Sequence, residues 1–208
     1  MQNVFPAIIA KNQKEFNSVI KKLEGISRII HLDFMDGKFV DNKSLNFNIR
    51  LKGGCYYHAH LMVDNPKKYI EKYKKQVELF LNHWESIKNK QKYIDWLRKN
   101  NLLVGFAIKP ETKVSELKPF LINIDFVLIL TVHPGKYGAK FLKSSLNKVK
   151  KIKKINSKIK IIVDGGMNPE KVKLASDHGV DFFVSGSYVT KSDDPKRRIK
   201  MLEKSIKR

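Results

Sequence analysis

Eight short apolar runs alternate with amphipathic segments along the chain. The runs cover residues 4–10, 28–34, 56–62, 79–84, 102–108, 126–132, 160–166 and 182–188. They are almost continuously hydrophobic, which is typical of strands buried on both faces of a parallel sheet. Eight strand–helix repeats in 208 residues predict an α/β fold, a (β/α)8 TIM barrel with short loops, as a single domain over residues 1–208. An open doubly wound sheet is the alternative, and the lack of a G-x-G-x-x-G fingerprint disfavours it.

Helix-start signals lie in the gaps between the apolar runs. Asn12 with Glu15 resembles a capping box, and three residues that can cap a helix each precede a proline, which suits the first helical position: Asn65, Asn168 and Asp194. The segments 87–99, 114–122 and 143–156 are predicted as further helices. Residues 44–52 give only a weak helical signal.

Composition and charge argue against several classes of protein. The single cysteine, Cys55, excludes a disulfide framework and a cysteine-rich zinc module. No apolar run reaches the ~18 residues of a membrane-spanning helix, and the first residues lack the pattern of a signal peptide, so we expect a cytoplasmic protein with no membrane partner. The formal net charge is +22, but only six of the 42 basic residues are arginine and the lysines are spread along the chain. Solvated helix faces explain this pattern better than a nucleic-acid partner does.

Histidines and carboxylates concentrate where the predicted strands end. His31 and Asp33 are two residues apart and therefore point to the same face of their strand, while His60 and Asp164 end two other strands. Two imidazoles and two carboxylates suit zinc, iron, manganese or cobalt better than calcium. A single buried histidine is more often a core residue, but four such side chains at one end of a barrel favour a divalent metal site.

Glycines follow three neighbouring predicted strands. They lie at Gly135 and Gly138 around Lys136 and Tyr137, at Gly165-Gly166, and at Gly186 before Ser187. Glycine lets the backbone approach an anion closely, and barrels often bind phosphate after strands seven and eight. These positions therefore predict a phosphate site, although tight strand–helix turns remain the alternative.

Several strings of residues resemble the ribulose-phosphate 3-epimerase family, in order and with similar spacing, from about Phe5 to Tyr188. They are IHLDFMDGKFV at 30–40, HLMV at 60–63, HWE at 83–85, KPET at 109–112, the segment 127–138 with Phe141, VDGG at 163–166, and Gly186-Ser187. The resemblance implies a TIM barrel that epimerises C3 of a ketose phosphate with a divalent metal, most simply D-ribulose 5-phosphate to D-xylulose 5-phosphate through an enediolate. It further implies a sugar-phosphate partner, and we expect a homo-oligomer.

The resemblance also assigns roles to individual residues. The implied metal ligands are His31, Asp33, His60 and Asp164, with Asp33 and Asp164 as the acid/base pair. The implied substrate and phosphate contacts are His60, Gly135, Lys136, Tyr137, Gly138, Gly165, Gly166, Gly186 and Ser187. The residues implied to flank the substrate are Ala7, Met35, Met62 and Leu130, the last at a position that is usually methionine.

The departures from the family pattern cluster around the sugar and the phosphate. Ala7 stands where the family has a serine that contacts the sugar, and the segment between Gly37 and His60 is short, which predicts a stunted second helix. Other unusual residues are Asp41, Lys109, His133, Lys136 and Tyr137. A 3-epimerase of a six- or seven-carbon ketose phosphate, such as allulose 6-phosphate, is therefore an alternative. The alternatives of other classes are a non-catalytic barrel that binds a sugar phosphate or nucleic acid, and a metal-free decarboxylase or lyase.

Overall fold

Eight parallel strands form a closed ring in a computed structural model that describes residues 2–135 and 139–207. They are β1 (Val4–Ile8), β2 (Ile29–Asp36), β4 (Tyr56–Met62), β5 (Val77–His83), β6 (Gly105–Ile108), β7 (Phe126–Leu130), β8 (Lys160–Asp164) and β9 (Phe182–Ser185). Neighbours pair in the order β1-β9-β8-β7-β6-β5-β4-β2, and pairing of β1 with β2 closes the ring. A two-residue strand, β3 (Lys43–Ser44), adds to β2 in the antiparallel direction. The predicted TIM barrel is confirmed.

Helices connect most of the strands around the outside of the barrel. They are α1 (Gln13–Leu23), α2 (Pro66–Tyr73), α3 (Lys90–Lys99), α4 (Val114–Leu117), α5 (Asn147–Ile155), α6 (Pro169–Asp177), α7 (Ser187–Thr190) and α8 (Pro195–Lys204). Short 3-10 helices cover Trp84–Ser86, Lys118–Asn123 and Lys143–Leu146. In the described part of the chain, no helix combines the length and the apolar character needed to cross a membrane.

Three of the four predicted helix caps form as expected. The side chains of Asn12, Asn168 and Asp194 each accept a hydrogen bond from a backbone N–H in the first turn, at 2.9 Å. Such a bond satisfies one of the free N–H groups at a helix start. Asn65 lies at the expected position before α2, but its side chain makes no capping hydrogen bond.

The weak helix expected at 44–52 is wrong, because no helix links β2 to β4. The apolar side chains there alternate at Leu45, Phe47, Ile49 and Leu51, which is the period of extended chain rather than of a helix. Leu45 and Ile49 are buried against the barrel, and the N–H of Leu45 donates to the carbonyl of Ala10 at 2.8 Å. An irregular segment with bends therefore takes the place of the second helix.

Apolar side chains fill two separate regions, one on each face of the strands. Outward-facing residues such as Ile30, Leu32 and Phe34 pack with the helices in the larger cluster. Inward-facing residues, including Leu128 and Ile162, fill the barrel interior. Burial on both faces explains why the strands are almost continuously hydrophobic. Polar side chains interrupt this pattern near the carboxyl ends of the strands, and His31, Asp33, His60 and Asp164 are among them.

Candidate active site

A cavity of about 730 Å³ opens at the carboxyl ends of the strands, where barrel enzymes place their active sites. Most of the residues predicted from the sequence contribute to its wall: Ala7, Asp33, Met35, His60, Met62, Leu130, Gly135, Asp164, Gly165, Gly166, Gly186 and Ser187. The predicted positions Lys136, Tyr137 and Gly138 lie outside the described residues. Every predicted site residue that the structure describes lies in this wall except His31, whose Nε2 lies 3.4 Å from Oδ1 of Asp33.

Four side chains from three strands converge beside this cavity, and three of them, Asp33, His60 and Asp164, line its wall. The Nδ1 atom of His60 lies 3.3 Å from Oδ1 of Asp33 and 3.5 Å from Oδ2 of Asp164, and Nε2 of His31 lies 3.4 Å from Oδ1 of Asp33. One potential ligand atom from each of the four residues lies within 4.8 Å of all the others. The cluster could therefore hold one metal ion between its four side chains.

Strand register explains why these residues meet. Asp33 on β2 stands directly opposite His60 on β4, and Leu130 on β7 stands opposite Asp164 on β8. His31 and Asp33 share the inward face of β2 because side chains alternate along a strand. The ends of β2, β4 and β8 therefore project their polar side chains into the same space.

The unsatisfied nitrogens of His31 fit a metal ion. Both ring nitrogens are fully buried, and within the described residues neither makes a hydrogen bond of good geometry, although Nε2 lies 3.4 Å from Oδ1 of Asp33. Buried nitrogens in this state ordinarily cost free energy. Ligand atoms that share a tetrahedral ion at about 2.1 Å lie roughly 3.4 Å apart, close to the separations around Asp33 and His60. Two imidazoles with two carboxylates also form a donor set that suits a divalent transition metal.

The two histidines control the charge of Asp33. Burial alone raises the pKa of this carboxyl group, but hydrogen bonds and charge from His31 and His60 hold it well below its usual range. For His60, burial lowers the pKa, and the hydrogen bonds to Asp164 and Asp33 outweigh burial and raise it to about 9. Asp33 is therefore ionised at neutral pH and can act as a proton acceptor.

The glycines after β8 have conformations that other residues rarely adopt. Gly165 has φ +118° and Gly166 has φ +67°, and a Cβ atom on Gly165 would lie 2.6 Å from Cγ2 of Val132. The Thr131 hydroxyl donates to the carbonyls of Asp164 and Gly165, at 2.8 Å each, and holds this turn. Close packing and positive φ explain the requirement for glycine in this part of the wall.

A second pair of polar residues, His83 and Glu85, extends from the cluster, and His83 contacts the ring nitrogen of His60 that faces away from Asp33 and Asp164. Nε2 of His83 lies 3.0 Å from Nε2 of His60, and Nδ1 of His83 lies 2.8 Å from Oε2 of Glu85. Burial lowers the pKa of His83 to about 4. The pKa of Glu85 falls to about 2, because hydrogen bonds from His83, Lys109 and Thr112 outweigh burial. Sequence reasoning noted the string at 83–85 but gave these residues no role.

The remaining histidines of the strand ends lie apart from the cluster. His58 points into the barrel interior, where its ring packs on Phe5 at 5.1 Å between centroids, and burial lowers its pKa to about 3. His133 is exposed and forms an ion pair with Glu111 at 2.9 Å. Sequence reasoning also missed several polar residues of the cavity wall, which no motif had marked: Asn42, Asn168, Tyr188 and Lys191.

The closed parallel barrel, with a His/Asp cluster at the carboxyl ends of its strands, places this protein among the barrel enzymes, and the cluster is its candidate metal centre. Residues 3–190 match the model of the ribulose-phosphate 3 epimerase family, and the chain belongs to this family. The ribulose-phosphate 3-epimerase of Schizosaccharomyces pombe is 32% identical over 185 residues, covering 85% of this chain and 81% of that relative. That of Bacillus subtilis is 30% identical over 210 aligned positions, covering 96% and 97%.

Solved structures with low sequence identity share the fold. A 3-hexulose-6-phosphate synthase from Salmonella typhimurium superposes with a TM-score of 0.66 at 13% identity, with 98% of both chains covered. A chain of a tryptophan synthase complex from Pyrococcus furiosus gives a TM-score of 0.67 at 15% identity, again with 98% coverage of both. At these identities the similarity supports the barrel fold alone.

Proposed function

We propose that this protein interconverts D-ribulose 5-phosphate and D-xylulose 5-phosphate by inverting the configuration at C3. The observation that carries the proposal is the convergence of Asp33 and Asp164, from two different strands, on one cavity together with His31 and His60. Family membership and the names of the relatives support the same reaction. We further propose that residues 1–208 act as one cytoplasmic barrel domain that assembles as a homo-oligomer.

The metal in this proposal is zinc, iron, manganese or cobalt. His31, Asp33, His60 and Asp164 would hold it, and their mixture of nitrogen and oxygen donors suits these ions better than calcium. A divalent ion held there would supply positive charge that stabilises the negative charge developing on the enediolate. The same charge offsets the cost of burying two carboxylates.

Asp33 and Asp164 perform the proton transfers. In one direction Asp33 removes the C3 proton, and the C–H electron pair moves into the enediolate. Asp164 then donates a proton to C3 from the opposite side of the planar intermediate, which inverts the carbon. In the reverse direction the two carboxyl groups exchange roles. The ionised state of Asp33 at neutral pH agrees with its role as a base.

Backbone groups and methionines position the substrate. The N–H groups around Gly165, Gly166, Gly186 and Ser187 bind the phosphate. Gly135 lines the same cavity, and the phosphate contacts predicted at 136–138 lie outside the described residues. Met35 and Met62 lie in the cavity wall and pack together in a small apolar cluster. Their apolar side chains exclude water from the intermediate. His60 and Leu130 complete the wall beside the reacting carbon.

The size of the substrate is tested by a screen of ketose phosphates. Purified protein, with its metal content measured, is given five-, six- and seven-carbon ketose phosphates, and product formation is followed by NMR. We expect fastest conversion of D-ribulose 5-phosphate and no conversion after complete metal removal. Faster conversion of allulose 6-phosphate would favour the larger substrate, for which Ala7 leaves space in the wall. Undiminished conversion without metal would contradict the proposed mechanism.

A further inference from the structure

A chain of hydrogen-bonding groups leads from His60 to the loop after β6. His60 Nε2 lies 3.0 Å from His83 Nε2, and His83 Nδ1 lies 2.8 Å from Oε2 of Glu85. The other carboxylate oxygen, Oε1, accepts from the backbone N–H of Lys109 at 2.9 Å and from the hydroxyl of Thr112. These groups form a continuous path from the backbone of the loop to the candidate metal centre.

Local structure holds His83 and Glu85 in place. His83 is the last residue of β5, and Glu85 lies in the 3-10 turn that follows, where the hydroxyl of Ser86 donates to the carbonyl of His83 at 2.9 Å. The ring of Phe39 packs on His83 with centroids 4.5 Å apart, and Nζ of Lys109 lies 4.3 Å from the centroid of Phe39. His83 is fully buried, so its ring nitrogens depend on these protein partners.

The partners fix which nitrogen carries each hydrogen. A carboxylate only accepts, so His83 donates from Nδ1 to Glu85. A neutral imidazole has one N–H, so Nε2 of His83 is an acceptor, and the hydrogen between the rings belongs to Nε2 of His60. Nδ1 of His60 lies 3.3 Å from Asp33 and 3.5 Å from Asp164. With the other hydrogen held on Nε2, a metal ion would take the place of the hydrogen on Nδ1 and meet its lone pair there.

We propose that His83 and Glu85 are positioning residues that fix the tautomer and orientation of His60, so that Nδ1 is presented to a divalent metal ion. This inference rests on the metal centre of the proposed function. Outer partners of metal-binding histidines generally act in this way, and losing one typically costs about 10- to 100-fold in metal affinity or activity. Neither residue touches the substrate in this account.

The Glu85→Gln variant tests the direction of the hydrogen bonds at almost constant shape. The amide oxygen can still accept from Lys109, but the amide nitrogen then faces His83 and donates to it. This reverses the bond between residue 85 and His83 and then the bond between the two rings, and it places a hydrogen on Nδ1 of His60. We expect the metal-free variant to bind Zn²⁺ about 10- to 100-fold more weakly than wild type in a chelator competition. Glu78→Gln, an exposed change on β5, the strand that precedes Glu85, is the matched control and should bind Zn²⁺ like wild type.

A second measurement uses the wild-type protein and needs no variant. In ¹⁵N NMR of the Zn²⁺-loaded protein, we expect His83 to carry its hydrogen on Nδ1 and His60 to carry its hydrogen on Nε2. A hydrogen on Nε2 of His83, or wild-type Zn²⁺ affinity in a folded Glu85→Gln variant, would overturn the inference. Neither readout involves a sugar phosphate. Failure of the substrate screen would therefore count against the proposed function but not against the role of His83 and Glu85.

Discussion

The upper part of the barrel interior lies at the carboxyl ends of the strands, and the lower part lies below it, toward their amino ends. The two parts are built on the same strands but differ in chemistry. In the lower part, Leu128 and Ile162 stand opposite each other on β7 and β8 and are fully buried among apolar side chains. Two residues further along β8, Asp164 faces the cavity with His31, Asp33 and His60. The lower part gains stability by removing apolar surface from water, whereas the upper part buries charged and polar groups that need compensation.

Residues of one strand therefore serve two purposes: some stabilise the fold and others carry out the function. Apolar residues in the lower part close the barrel and fix the positions of the strand ends. Polar residues in the upper part contribute chemistry, and within the described residues the buried ring nitrogens of His31 make no hydrogen bond of good geometry. We therefore expect changes in the lower part to alter unfolding and changes in the upper part to alter turnover and metal binding.

The largest effect is expected from neutralising either carboxyl group. Asp33→Asn and Asp164→Asn each remove one proton-transfer group, and general acid–base groups contribute about 10²- to 10⁴-fold to rate. We expect losses in this range in the conversion of ribulose 5-phosphate, measured by NMR, with circular dichroism unchanged. Asp95→Asn on the outer face of α3 is the control and should keep wild-type turnover. Wild-type turnover in either site variant would contradict the assigned roles.

Leu128→Ala tests the lower part of the interior. The side chain is fully buried, and truncating a buried leucine costs about 2–5 kcal/mol of unfolding free energy. We expect this loss in urea denaturation, while the fraction that stays folded keeps a near-normal kcat. Leu103→Ala, at a position that is 42% exposed, should cost less than about 0.5 kcal/mol. Equal destabilisation by both variants would contradict the stabilising role of the lower part.

Metal removal tests whether a metal ion compensates for the charged and polar groups buried in the upper part. A ligand present at about 100 times its Kd adds roughly 2.7 kcal/mol to the stability of the folded state. Wild-type protein should therefore unfold at a lower temperature after chelation and recover when Zn²⁺ is returned. The Asp33→Asn variant should lose most of this shift because one ligand is missing. An equal shift in wild type and variant would place the metal elsewhere.

The smallest effect is expected at Ala7, where this chain departs from the family pattern. The side chain lines the cavity at the end of β1. Ala7→Ser introduces a hydroxyl that can bond to the sugar, and one such bond contributes about 1 kcal/mol, or roughly fivefold. We expect kcat/KM for ribulose 5-phosphate to rise by about this factor. An increase for six-carbon ketose phosphates alone would favour the larger substrate.

Much of the fold and of the candidate cluster could be predicted from the sequence, because both depend on local patterns. Apolar runs marked the strands, and spacing by two placed His31 and Asp33 on one inward face. The absence of a helix at 45–51 also had a visible signal in the alternating side chains, but the expected strand–helix repeat outweighed it.

The contact between His60 and His83 could not be predicted in the same way. It depends on the register between β4 and β5, which shifts between Tyr57 and His58. Such an irregularity is set by packing across the ring rather than by residues near each other in the chain. The partners of Glu85 likewise come from the loop after β6, more than 20 residues further along the chain.

The central claim is that two carboxyl groups act on opposite sides of C3. A single turnover of D-ribulose 5-phosphate in D₂O, with enzyme in excess, tests this claim directly. Both carboxyl groups exchange with solvent before substrate is added, so the proton that leaves on one is replaced by a deuteron from the other. We expect D-xylulose 5-phosphate with deuterium at C3, observed by NMR. Product that keeps the original C3 hydrogen would show transfer by a single group and contradict the account.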